Sequence, residues 1–399
     1  MSPGGCMVST TRSPSEQILA EADRLAKTFA ERAAEHDRDA TFPHDNYADL
    51  AEAGILRMSV PEELGGFGGG LPEVVAVLER IAAGDGSTAL SLAMHISPLG
   101  QWASVWRRTG NERLADLLQR AAEGTLVWAA LTAERGMANR MTDANTIARR
   151  TDGGYLLTGR KIFATNSAIA TDFSTTARDP DAEGGPRLLL CAVSMDSPGI
   201  RVHPTWDTLG MRSTRSDDLE LDNVFVPESA VVHSLPIGHL DRRVMETVWA
   251  WAMPAFAGVY TGVACGALRW TVDRLTSAGR TTDPVVQDAV GHCHMLLESS
   301  RALIHRHVEE VVSRALHALD VQEAMARCIT VKHVAAHNAT EILQRLAEVN
   351  GGAAFGRALP FERMWRDVQA GPIMPMGSIA ARKFVGATAL GVEVAPVAP

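Results

Sequence analysis

His333 and His337 stand four residues apart in a helix-patterned segment, the spacing at which two imidazoles share a helical face and can chelate zinc. Val334, Ala335 and Ala336 lie between them, so no glutamate follows the first histidine as an HExxH site requires. His292/His294 and His305/His307 are two apart, which does not put a pair on one helical face. No metal site is expected. Nucleophilic catalysis has no local support either, because there is no GxSxG elbow and Gly377-Ser378 runs on into Ile379-Ala380. The glycine cluster Leu64–Gly70 follows no strand and lacks Gly-Lys-Ser/Thr, so it reads as a tight loop and not as a phosphate cradle. A GxGxxG run after a strand is also missing, which argues against a Rossmann dinucleotide site.

The order of elements is more telling than any single residue. A strand-rich stretch, Leu131–Thr176, interrupts a chain that is otherwise helix-patterned. Its Asp152-Gly153-Gly154 turn joins Thr146–Thr151 to Tyr155–Thr158, a strong hairpin signal. Arg187–Met195 and Asp217–Val226 are further strand candidates. Before this stretch, Ile18, Ala22, Leu25 and Phe29 recur at helical steps, and a helix is expected from Pro72 through Ile81. After it, Met295–Arg314, Val321–Leu346 and Pro375–Leu390 carry helical patterns. Trp249, Met253, Phe256 and Tyr260 share a face there, with Pro254 expected to kink that helix or mark its first turn. The fold class is therefore mostly α with a central β domain. Its divisions are a lead-in (1–14), an N-terminal helical domain (15–125), a middle β domain (126–236) and a C-terminal helical domain (237–399).

The 399 residues carry a net charge of −9, and the basic residues fall in isolated pairs such as Arg107-Arg108, Arg149-Arg150 and Arg242-Arg243. Such scatter is not the basic stripe of a nucleic-acid binder. Apolar runs fall well short of the roughly 18 residues that span a bilayer, so no membrane helix is expected. Met1–Ser15 lacks a charged start followed by an apolar core, which suggests a disordered lead-in and not a secretion signal. Cys6, Cys191, Cys265, Cys293 and Cys328 share no close spacing and read as reduced thiols of a cytoplasmic protein.

Seven segments in order resemble the acyl-CoA dehydrogenase family of flavoproteins. They are VPEELGG (Val60–Gly66), ALTAE (Ala130–Glu134), GYLLTGRKIFATN (Gly154–Asn166), LGMRST (Leu209–Thr214), VFVPES (Val224–Ser229), VNGGAAFGR (Val349–Arg357) and PFERMWRD (Pro360–Asp367). The resemblance implies an N-terminal helical domain, a middle β-barrel or sandwich and a C-terminal four-helix bundle. It further implies FAD, or FMN, between the middle and C-terminal domains of a homodimer or homotetramer. By position, Leu131 and Thr132 match the segment that bonds the flavin pyrimidine, Phe163 the aromatic beside the isoalloxazine, and Thr165 the hydroxyl near N5. Gly351 and Gly352 match the paired glycines near the adenine half, and Arg280 the diphosphate arginine. The Arg280–Gln287 loop is about four residues short of the pattern and lacks its Phe-Gly. The usual Gly-Ser-Asp after the LTEP-type segment is replaced here by an insertion that reaches Thr142-Asp143.

In the dehydrogenases of the family a carboxylate removes an α-proton while hydride leaves for flavin N5. The segment that would carry it here reads Gly371-Pro372-Ile373-Met374-Pro375-Met376-Gly377, without a carboxylate, and a second family position falls near Trp251. A missing base costs on the order of 10²–10⁴ in rate. A monooxygenase branch, which couples reduced flavin to O₂, needs no such base, and Trp206–Arg212 and Val259–Leu268 are similar to it. His95 falls roughly where such enzymes carry a histidine facing the flavin, although the branch's C-terminal histidines are replaced by Gly371 and Met374. The leading expectation is a monooxygenase that hydroxylates a small molecule and is served by a flavin reductase. The alternatives are a thioester dehydrogenase with a relocated base, Glu246, working with an electron-transfer partner, and a non-redox relative that only binds.

Overall fold

The protein is described by a computed structural model over residues 14–137 and 142–397. Residues 1–13, which make up all but the last residue of the expected lead-in (1–14), Ala138–Met141 of the expected insertion, and residues 398–399 lie outside the described residues.

Ile18, Ala22, Leu25 and Phe29 are all buried, so the stripe read from sequence is the packed face of α1 (Pro14–Asp39). Helices α2 (His44–Glu52), α3 (Leu71–Ala82), α4 (Gly86–Thr109) and α5 (Glu112–Ala122) complete the N-terminal block. Pro72 sits in the first turn of α3, where its missing N–H costs no helical bond. Asp85 caps α4 by accepting from the amides of Ser87 and Thr88.

The middle region holds β1 (Trp128–Leu131), β2 (Ile147–Thr151), β3 (Gly154–Lys161), β4 (Asp172–Asp179), β5 (Arg187–Ser194), β6 (Ile200–His203), β7 (Asp218–Pro227) and β8 (Val231–Pro236). The expected hairpin is β2–β3, in register from Ile147↔Thr158 to Thr151↔Gly154. The sheet order is β6-β7-β3-β2-β4-β5-β8, with β1 parallel to β4. Only Ile147↔Arg178 joins β2 to β4, so the sheet has two halves, and Leu157, Phe173, Cys191, Leu219 and Val224 form their common apolar core.

The C-terminal region begins with α6 (Arg242–Val244) and a π-helical turn, Met245–Trp249, that leads into α7 (Ala250–Ser277). It continues with α8 (Pro284–Val312), α9 (Val321–Asn350), α10 (Gly352–Phe355), α11 (Pro360–Val368) and α12 (Ser378–Ala389). Pro254 is the fifth residue of α7, just after the π-turn, and lies inside a helix that runs on from Arg242 to Ser277, so it does not mark a first turn. Trp249, Met253, Phe256 and Tyr260 are buried as one face. The stretch 242–277 is long and apolar enough to cross a bilayer, but 83% of its most apolar window is buried inside the fold, so its apolarity is used in packing. Two glycines bring it against α3: a Cβ on Gly262 would lie 2.2 Å from Glu79 O, and one on Gly266 2.3 Å from Ala83 O. The family's helix–sheet–helix architecture is thus present.

Candidate functional site at the Phe163 turn

β1 and β3 end side by side. The Ile162 amide donates to Ala133 O over 2.9 Å, which sets Leu131 and Thr132 beside the turn that follows β3. Leu131 is buried and its carbonyl accepts from Thr175 Oγ1 at 2.8 Å, whereas Thr132 is exposed. In that turn Phe163 has φ +56° and Asn166 φ +73°. A bulky aromatic in the left-handed region is strained, and such strain gathers at working sites. Phe163 is 54% exposed, yet Trp206 supports its ring edge-on at 5.9 Å. Trp206 is fixed in turn, since its indole N–H donates to Met211 O at 3.0 Å and its amide to Asp217 Oδ1 at 2.9 Å. A flat ring held open at a domain edge is a stacking surface that the protein leaves uncovered.

Two residues on, Thr165 is buried and its hydroxyl lies 2.8 Å from that of Ser216. Asn166 anchors the turn by accepting from Tyr47 Oη on α2 (3.0 Å) and donating to Ser91 O on α4 (2.9 Å) and Trp128 O on β1 (3.2 Å). Behind the LTAE segment, Glu134 and Lys161 form a buried ion pair at 2.7 Å. The Glu134 carboxylate also accepts from the Thr146 amide (2.8 Å), and Lys161 donates to Thr176 O at 2.6 Å. Burial opposes the Glu134 charge, but the Lys161 ammonium and these donors hold its carboxyl below the usual range.

The other expected residues are placed as follows. His95 is fully buried: its Nε2–H donates to Leu56 O at 3.0 Å, and Nδ1 accepts the Trp128 amide at 3.1 Å. Burial pushes the ring down to about 4, so it is neutral, and neither nitrogen is free for proton transfer. It holds β1 to α4 instead of facing outward. Glu246 lies in the π-turn with its carboxylate 3.0 Å from His317 Nδ1 and 3.6 Å from Arg242, and Arg242 also donates to Leu319 O. Those partners mark the start of α9, roughly 17 Å along that helix from Lys332 at its rise per residue. Lys332 faces the methionine loop: its Nζ donates to Met374 O at 2.8 Å, and burial pushes it down to about 7. Tyr260 Oη sits 2.7 Å from Met374 Sδ and completes the clamp on that loop.

Arg280 and Gly351-Gly352 do come together, at the far end of α9. Arg280 is already committed, to Asp283 Oδ2 at 2.7 Å and to Val349 O at 3.1 Å. Gly351 has φ +55° and ψ −135°, a conformation that only glycine adopts readily. His333 and His337 stack at 4.4 Å, and His337 Nε2 meets Ser378 Oγ at 3.0 Å. Among the described residues no three His, Cys, Asp or Glu side chains converge as a metal set.

Thr214, Ser216 and Lys332 were not among the site residues expected from sequence. The cluster of hydroxyls after LGMR (Ser213, Thr214 and Ser216) was a visible sign of the first two, while a lysine inside an apolar helical stretch was the sign of the third.

The acyl-CoA dehydrogenase family models match over their N-terminal domain (residues 14–125), middle domain (129–224) and C-terminal domain (255–374). The chain is 31% identical to the amino sugar nitrososynthase RubN8 of Streptomyces rubradiris, over 98% of this chain and 93% of that one. It is 27% identical to the probable FMNH2-dependent monooxygenase SfnC of Pseudomonas putida, over 91% and 92%. The structure of KijD3 in complex with FMN and dTDP-3-amino-2,3,6-trideoxy-4-keto-3-methyl-D-glucose superposes with a TM-score of 0.85 at 29% identity, covering 97% of this chain and 96% of that one. With all three domains matched and flavin-dependent oxygenases among such similar proteins, the chain belongs to the acyl-CoA dehydrogenase family, as a flavin-dependent oxidoreductase whose monooxygenase reading is favoured over the dehydrogenase one.

Proposed function

We propose that the protein is an FMN-dependent monooxygenase that oxygenates the amine nitrogen of a small substrate, an amino sugar carried on a nucleotide. The observation that carries this is the open Phe163 ring beside the buried Thr165 hydroxyl, combined with a Gly371–Gly377 loop that offers no carboxylate. When bound, the flavin supplies two electrons and activates O₂, one oxygen atom going to the nitrogen and the other leaving as water. Phe163 and Trp206 offer the stacking surface, Thr132 a polar group at the rim, and Thr165 a hydroxyl toward the ring. Tyr260 and Lys332 hold the methionine loop as an apolar wall that keeps water out.

FMN is favoured over FAD because FMN-bound KijD3 and the probable FMNH2-dependent SfnC are among the similar proteins, and Arg280, the candidate diphosphate ligand, already pairs with Asp283 and the Val349 carbonyl. RubN8 and the FMN-bound KijD3 structure support the amine and the cofactor. A separate flavin reductase would deliver the reduced flavin. Exposed Phe355, Ile379 and Leu390 on the C-terminal helices support assembly into a homodimer or homotetramer. Cys191, Cys265, Cys293 and Cys328 are free thiols, in keeping with a cytoplasmic setting.

The test is turnover with FMN, an NADH:FMN reductase, O₂ and a dTDP-linked 3-amino sugar. Mass spectrometry should show the substrate gaining one oxygen, with oxygen uptake in step. Unchanged amino sugar, together with anaerobic bleaching of bound flavin by an acyl-CoA thioester, would overturn the proposal in favour of a dehydrogenase.

A further inference from the structure

Thr165 does not end in a single contact. Its Oγ1 lies 2.8 Å from Ser216 Oγ, which lies 2.7 Å from Thr214 Oγ1, which in turn lies 2.9 Å from Met211 O. Thr165, Ser216 and Thr214 are all buried, and Thr165 and Ser216 have no other side-chain hydrogen bond that could reverse the sense of the row. Each hydroxyl owns one proton, and the row terminates on a carbonyl, which can only accept. Thr214 must therefore donate to Met211 O, since two acceptors facing each other at that distance would repel. Ser216 then donates to Thr214, and Thr165 donates to Ser216. Met211 O is confirmed as the accepting terminus by two further donors, the Trp206 indole N–H at 3.0 Å and the Thr214 amide at 3.2 Å. The peptide itself is held from behind, because the Met211 amide donates to the buried Asp367 carboxylate at 2.6 Å.

We infer that this row fixes Thr165 as a pure hydrogen-bond acceptor toward the flavin edge, with Ser216 and Thr214 as positioning residues that select the reduced, N5-protonated flavin over the oxidised one. The inference rests on the flavin reading of the site. N5 of a reduced flavin carries a hydrogen and donates, whereas N5 of an oxidised flavin has only a lone pair. An acceptor-only Thr165 complements the first and repels the second. The protein would thereby favour capture of reduced flavin from a reductase and would hold the N5 proton while O₂ reacts.

The experiment measures dissociation constants of oxidised and of dithionite-reduced FMN, the latter anaerobically, for wild type and variants. Thr214→Val leaves Thr165 and Ser216 in place but removes the accepting oxygen from the middle of the row. The Ser216 proton then has only Thr165 to meet, and the Thr165 proton turns outward. The ratio of oxidised to reduced dissociation constants should fall about fivefold to tenfold, the effect of one hydrogen bond. A tenfold fall lowers the two-electron potential of the bound flavin by about 30 mV. Ser216→Ala should move the ratio the same way, and Thr214→Ser, which restores the hydroxyl, should return it to the wild-type value. A ratio left unmoved by both Thr214→Val and Ser216→Ala overturns the inference, and so does a Thr214→Ser ratio that follows Val instead of wild type. Should Thr214→Val not fold, Ser216→Ala decides alone. A wild type that binds neither form of FMN sinks the cofactor reading itself. An expected ratio shift without amine oxygenation sinks only the proposed substrate chemistry.

Discussion

Replacing His95 by glutamine separates two roles that the sequence left open. In the structure the ring is fully buried, with both nitrogens engaged and the neutral form favoured, so its titration falls from an ordinary 6.5 to about 4. Between those values the unfolded chain binds a proton that the folded chain does not, so folding stability falls as pH falls from 6.5 toward 4. The full gap is worth about 3 kcal/mol, of which about 2 kcal/mol is lost by pH 5. Glutamine can accept from the Trp128 amide and donate to Leu56 O but cannot titrate. Urea unfolding at pH 7.5 and pH 5 should therefore show a stability drop that is about 2 kcal/mol smaller in His95→Gln than in wild type. His307 and His333, also pushed down to about 4 mainly by burial, keep their own share of acid sensitivity in both proteins. An equal drop in wild type and variant would refute the buried-neutral assignment. A pH–rate limb near 6.5 that vanishes in the variant would instead restore His95 as a group that exchanges protons with bound substrate or flavin.

Two further outcomes follow from geometry. Lys161→Met leaves the Glu134 carboxylate buried without its cation, which should cost roughly 3–5 kcal/mol in urea unfolding and weaken FMN binding through the displaced Thr132 segment. Adding Glu134→Gln should recover part of that loss, and strictly additive single costs would show that the two groups are not coupled. Glu246→Gln should change stability by less than about 1 kcal/mol, since its partners His317 and Arg242 are each about a third exposed. Its turnover should stay within about twofold of wild type. A loss of 10²-fold or more would reinstate Glu246 as the base.

The architecture was legible because it is written in periodicity. The α1 stripe, the Trp249–Tyr260 face and the Asp152-Gly153-Gly154 hairpin each follow from spacing alone, and each is present. The candidate site was proposed only through the order of the family segments. The segment after β1 and the turn after β3 meet because Ala133 O receives the Ile162 amide, a contact that nothing local announces. His95 shows where such transfer runs out, because position in a pattern says nothing about which nitrogens the surrounding backbone will occupy. Lys332 escaped notice for the converse reason. Its importance lies in facing the Met374 and Met376 carbonyls 42 and 44 residues away, with burial lowering its charge affinity.

The two departures at this site are physically one. A dehydrogenase needs an oxidised flavin, whose N5 accepts, and a carboxylate on the far side of the substrate to take the α-proton. An oxygenase needs the reverse: an N5 proton retained against loss, and no strong base in a dry pocket to draw protons from the reacting groups. Removing the carboxylate from the 371–377 loop while leaving Thr165 free to donate would serve neither reaction well. In this chain the hydroxyl row ends on Met211 O and the loop carries methionines, clamped by Tyr260 and Lys332. On the proposed flavin reading both changes favour the same redox state. Met211 links them mechanically as well, since its carbonyl closes the row and its amide is held by Asp367, the last residue of the segment that precedes the loop. Restoring a glutamate at Met374 alone should therefore not yield a thioester dehydrogenase. It would place a charge within reach of Lys332 while Thr165, as inferred above, still disfavoured oxidised flavin, and anaerobic flavin bleaching by acyl-CoA should appear only when Thr214→Val accompanies it.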